Sequence, residues 1–162
     1  MEEKCKKQDL RMFSYGVYVL TSENDGDYCV STITWVSQAS FEPPMISVCI
    51  KRNSVSYEIV KKRGEFILHL LGDNQKELAS TFFKPTIFEN EKLNGQEFSL
   101  ANNLPLLKDI PAYIRCKVVE VLENGEIKIV EGMSHLEAVN CETLGKLEAF
   151  CTSGGASHTI QS

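Results

Sequence analysis

The sequence predicts a mainly β chain, with six or seven antiparallel strands in a closed or nearly closed barrel and two or three peripheral helices. Three observations carry this. Apolar, β-branched runs recur at short intervals between strong turn signals, Asn24-Asp25-Gly26-Asp27 and Asn124-Gly125. Such pairs accept the positive φ that tight hairpins require. Helix-like segments are too few to alternate with strands as βαβ units. Neither a GxGxxG loop nor a GxxxxGKS/T loop occurs, so the common nucleotide-binding α/β architectures lack their signatures.

Taken in order, residues 5–15 read as a short helix burying Leu10, Met12 and Phe13, which Gly16 ends. Val17–Thr21 and residues 28–34 read as strands joined by the Asp25-Gly26 hairpin turn. Met45–Ile50 is apolar almost throughout, as expected of a strand buried on both faces. Ser54 is placed to cap a helix over 55–63, and Gly64 to terminate it. Glu65–Leu71 reads as a strand, and Asp73 as the cap of a helix from Asn74 to Phe83, before Pro85. Residues 85–111 carry three prolines and little periodicity, and read as a long irregular excursion. Ala112–Leu122, Glu126–Glu131 and a segment near 145–151 complete the strands.

The 162 residues suit one domain, 1–162, with a sizeable core. A net charge of -5 argues against nucleic-acid binding, and Lys61-Lys62-Arg63 reads as a solvated helix end rather than a phosphate rail. No apolar stretch approaches the roughly 20 residues that span a bilayer. Met1-Glu2-Glu3-Lys4 leads into no apolar run of the secretory kind, so the expected compartment is the cytoplasm. The six cysteines form no CxxC pair, and no histidine lies at finger-like spacing, so no metal site is expected. Cys29, Cys49 and Cys116 lie in apolar runs, where a reduced thiol packs as a small hydrophobe.

Two runs carry the chemistry. Ser31-Thr32-Ile33-Thr34-Trp35-Val36-Ser37-Gln38-Ala39-Ser40-Phe41-Glu42-Pro43-Pro44 places hydroxyls and a large aromatic in a β-prone stretch closed by a double proline. Lys51-Arg52-Asn53-Ser54-Val55-Ser56-Tyr57-Glu58 is a basic strand end entering a hydroxyl-rich helix start. Together they describe a site for a flat aromatic ligand with a phosphate tail. Strand backbone and threonine hydroxyls satisfy a heterocycle edge that both donates and accepts. Arg52, Asn53, Ser54 and Ser56 are phosphate candidates, because a helix start supplies unpaired N–H groups and partial positive charge. Taken alone, each feature also fits an ordinary strand, a core tryptophan or a plain N-cap.

At these runs the chain resembles the flavin reductase-like family, the FMN-binding split barrels. The resemblance rests on Thr32-Ile33-Thr34-Trp35 followed by Ser40-Phe41-Glu42-Pro43-Pro44, and on Val48-Cys49-Ile50 leading into Lys51–Ile59. Family-like stretches continue at Phe13–Thr21, Gly64–Leu71, Glu91–Gly95, Leu104–Leu107 and Ile114–Glu120. Their order and spacing agree from about residue 9 to about 122.

The resemblance implies a six- or seven-stranded antiparallel split barrel that binds FMN, or possibly FAD. It implies a reductase that takes hydride from NADH or NADPH and passes electrons to free flavin or a protein acceptor. Thr32, Ile33, Thr34 and Trp35 would line one edge of the flavin, and Lys92 would place a cation near it. Gly155-Ala156-Ser157-His158 would supply a histidine at the reactive face, making His158 the one catalytic candidate. Similar proteins are homodimers with the flavin near the interface, to which Phe82, Phe83 and Phe88 would contribute. A non-enzymatic flavin carrier or sensor is the alternative, and a haem or pyridoxal phosphate barrel ranks last because no histidine is placed as a haem ligand. His69 reads as a half-buried strand residue, and His135 has no assigned role.

Overall fold

A computed structural model describes residues 13–122 and, as backbone, 127–137. The strands are β1 (Tyr18–Asn24), β2 (Asp27–Ile33), β3 (Val36–Ser40), β4 (Met45–Lys51), β5 (Glu65–Leu70), β6 (Phe88–Glu89), β7 (Lys92–Leu93), β8 (Gln96–Ala101), β9 (Leu104–Leu107), β10 (Ala112–Leu122) and β11 (Ile127–Glu137). Helix α1 (Val55–Arg63) follows β4, and α2 (Lys76–Thr81) follows β5.

Seven strands form one antiparallel sheet in the order β2-β1-β5-β10-β11-β4-β3. Its edge strands, β2 and β3, are consecutive in the chain, with only Thr34 and Trp35 between them. Three Cα steps reach at most about 11 Å, whereas a flat seven-stranded sheet would be about 29 Å wide. The sheet must therefore curl until its edges nearly meet, leaving a barrel split along one seam. The expected antiparallel split barrel is thus present.

Alternate residues point inward, as strand geometry requires. Leu20, Cys29, Ile33, Val48, Ile50, Phe66, Leu68 and Cys116 fill the interior, with Tyr57, Ile59 and Val60 of α1 packed against them. Helix α1 starts at Ser54, whose Oγ accepts from the Tyr57 N–H at 3.1 Å, and ends at Gly64 with φ 74°. Only glycine adopts that left-handed cap cheaply.

The outer face of β1 and β2 is covered by α2 and the later hairpins, through Val19, Val30, Leu71, Ala79, Phe82, Leu93 and Leu107. His69 on β5 sits fully buried between these layers. Its Nδ1–H donates to Val19 O at 2.9 Å, and its Nε2 accepts from Leu107 N–H at 3.1 Å.

Several expectations need correction. Residues 13–15 are not helical, and Phe13 is 63% exposed rather than buried. Helix α2 is capped at Gln75 without a side-chain bond, not at Asp73. Phe82 is buried, while Phe83 and Phe88 remain exposed. His69 is fully rather than half buried.

The supposed irregular excursion is a four-stranded antiparallel sheet, β6 to β9. Its three two-residue turns, Asn90-Glu91, Asn94-Gly95 and Asn102-Asn103, all have positive φ at both positions, as does Asp25-Gly26. That is the type I′ signature, which matches the twist of the flanking strands. Asn94 also ties the excursion together, since its Oδ1 accepts from Ile87 N–H at 2.7 Å and its Nδ2 donates to Pro85 O at 3.1 Å. Strand β3 was not expected, and β11 runs six residues further than the expected Glu131. Residues 5–12, the Asn124-Gly125 turn, the strand near 145–151 and His158 lie outside the described residues.

Burial pushes the Cys29 and Cys116 thiols up to about 12. A thiolate is the reactive form, so neither should react with iodoacetamide in the folded protein at pH 8. Peptide mapping before and after denaturation checks this; labelling of either cysteine in the native state would contradict the packing.

Candidate functional site at the barrel seam

The seam brings the two sequence runs together. The Cys49 N–H donates to Trp35 O at 2.9 Å, and the Val36 N–H bonds back to Thr34 O at 3.2 Å. The Thr34-Trp35 bend is thereby fixed against β4, and Cys49 lies two residues before Lys51, where β4 ends. There the chain turns through Asn53, at φ 60°, into Ser54 and α1. Asparagine is the side chain best suited to that positive φ.

Helix α1 is bound directly to the other run as well: the Ser56 hydroxyl hydrogen-bonds that of Ser31 on β2. Ser31 carries the contact that orients the helix start, and it lay in the run without being singled out. Only the tertiary pairing of β2 with α1 reveals its role.

The predicted residues divide by what they do. Thr32 and Ile33 face away from the seam. Thr32 Oγ1 donates to Ala79 O at 2.6 Å and its N–H donates to Phe82 O at 3.2 Å, anchoring α2 on the sheet edge. Ile33 is buried in the barrel core. Thr34 is half-buried, and among the described residues its hydroxyl has no hydrogen-bond partner.

Trp35 is 45% exposed and leans on Tyr15, with ring centroids 6.0 Å apart at 49°. Arg52 and Asn53 are exposed and Ser54 is half-buried. Arg52 makes no ion pair among the described residues. Lys92 lies in the small sheet, 3.7 Å from Glu97, a carboxylate that Lys108 also holds at 2.8 Å. The two lysines hold that carboxyl below its ordinary range, the Lys108 hydrogen bond contributing most.

An open cleft of about 420 Å³ lies between α1 and the start of β2. Asn53, Ser54 and Val55 lie at one end, Glu58, Ile59 and Lys62 follow along the helix, and Asp27 and Tyr28 of β2 form the opposite wall. Tyr28 also packs on Phe88 and Phe98, at 4.6 and 5.5 Å. Among the described residues no cluster of three or more His, Cys, Asp or Glu could hold a metal ion.

A helix start of this kind can receive an anion. In an α-helix the first N–H groups have no intrahelical acceptor. Here the Tyr57 N–H goes to the Ser54 side chain and the Glu58 N–H to Ser54 O, at 3.1 and 3.2 Å. Among the described residues the N–H groups of Val55 and Ser56 remain, in the turn that follows the exposed Arg52. The half-buried Thr34 and the exposed Trp35 are the polar and apolar side chains at the bend.

The family model described as the flavin reductase like domain matches residues 10–143. The reductase component of 4-nitrophenol 4-monooxygenase/4-nitrocatechol 2-monooxygenase from Rhodococcus opacus is 31% identical over 117 residues, covering 72% of this chain and 62% of that protein. An NADH-dependent flavin reductase from Pseudomonas fluorescens is 27% identical over 124 residues, covering 76% and 71%.

The chain therefore spans less than two thirds of the first of these relatives, and 38% of the length of another, a flavin reductase relative from Rhizobium meliloti. Among solved structures, nitrilotriacetate monooxygenase component B from Mycobacterium thermoresistibile superposes with a TM-score of 0.73 at 23% identity, covering 86% of this chain and 80% of that one. A family match over most of the chain, on a split barrel with a helix start at its seam, has one consequence: this chain belongs to the flavin reductase-like domain family.

Proposed function

We propose that this protein is a flavin reductase that binds FMN at the barrel seam and takes hydride from NADH or NADPH. It passes the electrons to free flavin or to a protein acceptor. The observation that carries this reading is the convergence of the Thr34-Trp35 bend and the α1 start, joined through Cys49 and Ser31. Relatives described as a monooxygenase reductase component and as an NADH-dependent flavin reductase support it.

The bound flavin supplies the redox chemistry. The chain's own residues bind, orient and shield. Arg52 and the Val55 and Ser56 N–H groups hold the phosphate by charge-assisted and backbone donors. Asn53 and Ser54 shape the turn that aims those donors. Thr34 offers its hydroxyl to the heterocycle edge, and Trp35 gives the ring an apolar wall. Thr32, Ile33 and Ser56 position the site from behind, through Ala79, the core and Ser31 respectively. Lys92 adds positive charge from the small sheet, shared with Glu97, and His158 serves the reactive face.

A second copy of the chain is the natural cover for the exposed Tyr15, Trp35 and Phe41 around the seam, so we read the active form as a homodimer. No helix among the described residues is long and apolar enough to cross a membrane, and we place the protein in the cytoplasm.

Anaerobic titration of FMN-loaded protein with NADH and then NADPH tests the activity. The oxidised-flavin absorbance band should bleach with one equivalent of the preferred nucleotide. Retained FMN that bleaches only with a chemical reductant would make the protein a flavin carrier reduced by a partner.

A further inference from the structure

We infer that Thr86 and Asn94 are positioning residues for the flavin ring: together they clamp the free edge of β2 and so aim the Thr34-Trp35 bend that β2 feeds. The inference rests on the seam being the flavin site, and deepens it by naming what holds the ring side of that site in place.

Strand β2 ends the seven-stranded sheet, so one of its edges has no neighbouring strand there. An antiparallel edge strand turns the N–H and C=O of alternate residues outward, and here these residues include Val30 and Thr32. A single hydroxyl serves both groups of Val30. Thr86 Oγ1 accepts from the Val30 N–H at 3.0 Å and donates to Val30 O at 3.1 Å. Two residues on, the Thr32 N–H donates to Phe82 O at 3.2 Å and the Thr32 hydroxyl to Ala79 O at 2.6 Å. The segment from α2 to Thr86 thus lies along β2 in place of a strand. Thr32, the last clamped residue, stands two positions before Thr34.

Thr86 is itself held from both sides by one side chain. Asn94 Nδ2 donates to Pro85 O at 3.1 Å, and Asn94 Oδ1 accepts from the Ile87 N–H at 2.7 Å. Pro85 and Ile87 flank Thr86 in the chain, so the Asn94 amide fixes the backbone that carries the hydroxyl. Asn94 opens a tight turn at φ 49°, a conformation that asparagine tolerates better than most side chains. One hydrogen-bonded chain therefore runs from Asn94 through Thr86 to the edge of β2. It meets the seam at the bend rather than at the α1 start.

The clamp has a phosphate-independent effect. Thr86→Val keeps the shape of the side chain but leaves the two Val30 groups without their partner. FMN and riboflavin should then both bind about fivefold more weakly, by the same factor, the value of about one net hydrogen bond. Exchange of the Val30 amide proton should speed about tenfold, while the amide protons of β5 keep their rates. Thr86→Ser keeps the hydroxyl and should restore all three values. Asn94→Asp keeps the acceptor for Ile87 and removes the donor to Pro85, and it should weaken both flavins equally. In the double variant Thr86→Val, Asn94→Asp the losses should be less than additive, because both changes act through one chain of contacts.

Flavin fluorescence gives the dissociation constants, and hydrogen exchange followed by NMR gives the amide rates. A residue that only supports the fold would lower the urea midpoint without changing the affinity of the folded protein. The inference is overturned if Thr86→Val leaves both dissociation constants unchanged, if Thr86→Ser loses as much as Thr86→Val, or if FMN alone is weakened. If Thr86→Val does not fold, Asn94→Asp decides by the same comparison of FMN with riboflavin. Should wild type bind neither flavin, the flavin reading falls, and Val30 exchange judges the clamp: a faster rate in Thr86→Val supports it and an unchanged rate overturns it.

Discussion

Replacing His69 with alanine is expected to destabilise the protein by about 4 kcal/mol at pH 7. The imidazole is fully buried and joins three strands, donating to Val19 O on β1 and accepting from Leu107 N–H on β9. Its removal strands a buried carbonyl and a buried N–H, each costing about 1–3 kcal/mol, and leaves a cavity. These bonds also fix the neutral tautomer with its proton on Nδ1, because Nε2 must accept.

Desolvation consequently lowers the His69 pKa from 6.5 to about 4, only partly opposed by the Val19 hydrogen bond. Above pH 6.5 the ring is neutral in both folded and unfolded chains, and the full stability is present. As pH falls through 6.5 the unfolded chain takes up the proton first, and by about pH 4 the folded state has lost about 3 kcal/mol from this residue. Urea melts at pH 7, 5.5 and 4 should show this decline in wild type and a shallower one in His69→Ala. Equal slopes would remove His69 as the source.

The elements legible in the sequence were those whose signals are local. Asp25-Gly26 announced the first hairpin, and Ser54 and Gly64 bracketed α1 to the residue. Strand β3 escaped because Val36-Ser37-Gln38-Ala39-Ser40 is an edge strand with an exposed middle, so no buried face imposes alternation. The small sheet escaped because β6 and β7 have two residues each, too few for any period to register. Its turn Asn94-Gly95 nevertheless carries the same signal as Asp25-Gly26, positive φ at both positions. Helix α2 was legible as a helix between Asn74 and Phe83, but its bounds, Lys76–Thr81, were not, because no capping side chain marks its start.

The site divides along the same line. Residue types at the seam were visible, because hydroxyls, an arginine and a helix start form a local pattern. Which of them face a ligand was not. The commitment of Thr32 to Ala79 and Phe82, and of Ser56 to Ser31, follows from packing between segments distant in sequence.

Arg52 provides the sharpest probe of the seam. Arg52→Ala should weaken FMN binding about ten- to a hundredfold, the value of a hydrogen bond to a charged group, about 1.5–3 kcal/mol. Binding of riboflavin, which lacks the phosphate, should not change. The exposed guanidinium has no ion pair among the described residues, so the urea midpoint should stay within about 0.5 kcal/mol of wild type.

Ser54→Ala makes the complementary case. Its Oγ caps α1, so its loss should cost about 1 kcal/mol of stability whether or not flavin is present. Titrating FMN and riboflavin into both variants separates ligand recognition from helix integrity. Raising the salt concentration should narrow the gap between wild type and Arg52→Ala for FMN alone, since ions screen the exposed charge pair. Equal losses for FMN and riboflavin in Arg52→Ala would move the phosphate away from the α1 start, because no charge-specific contact would then have been removed.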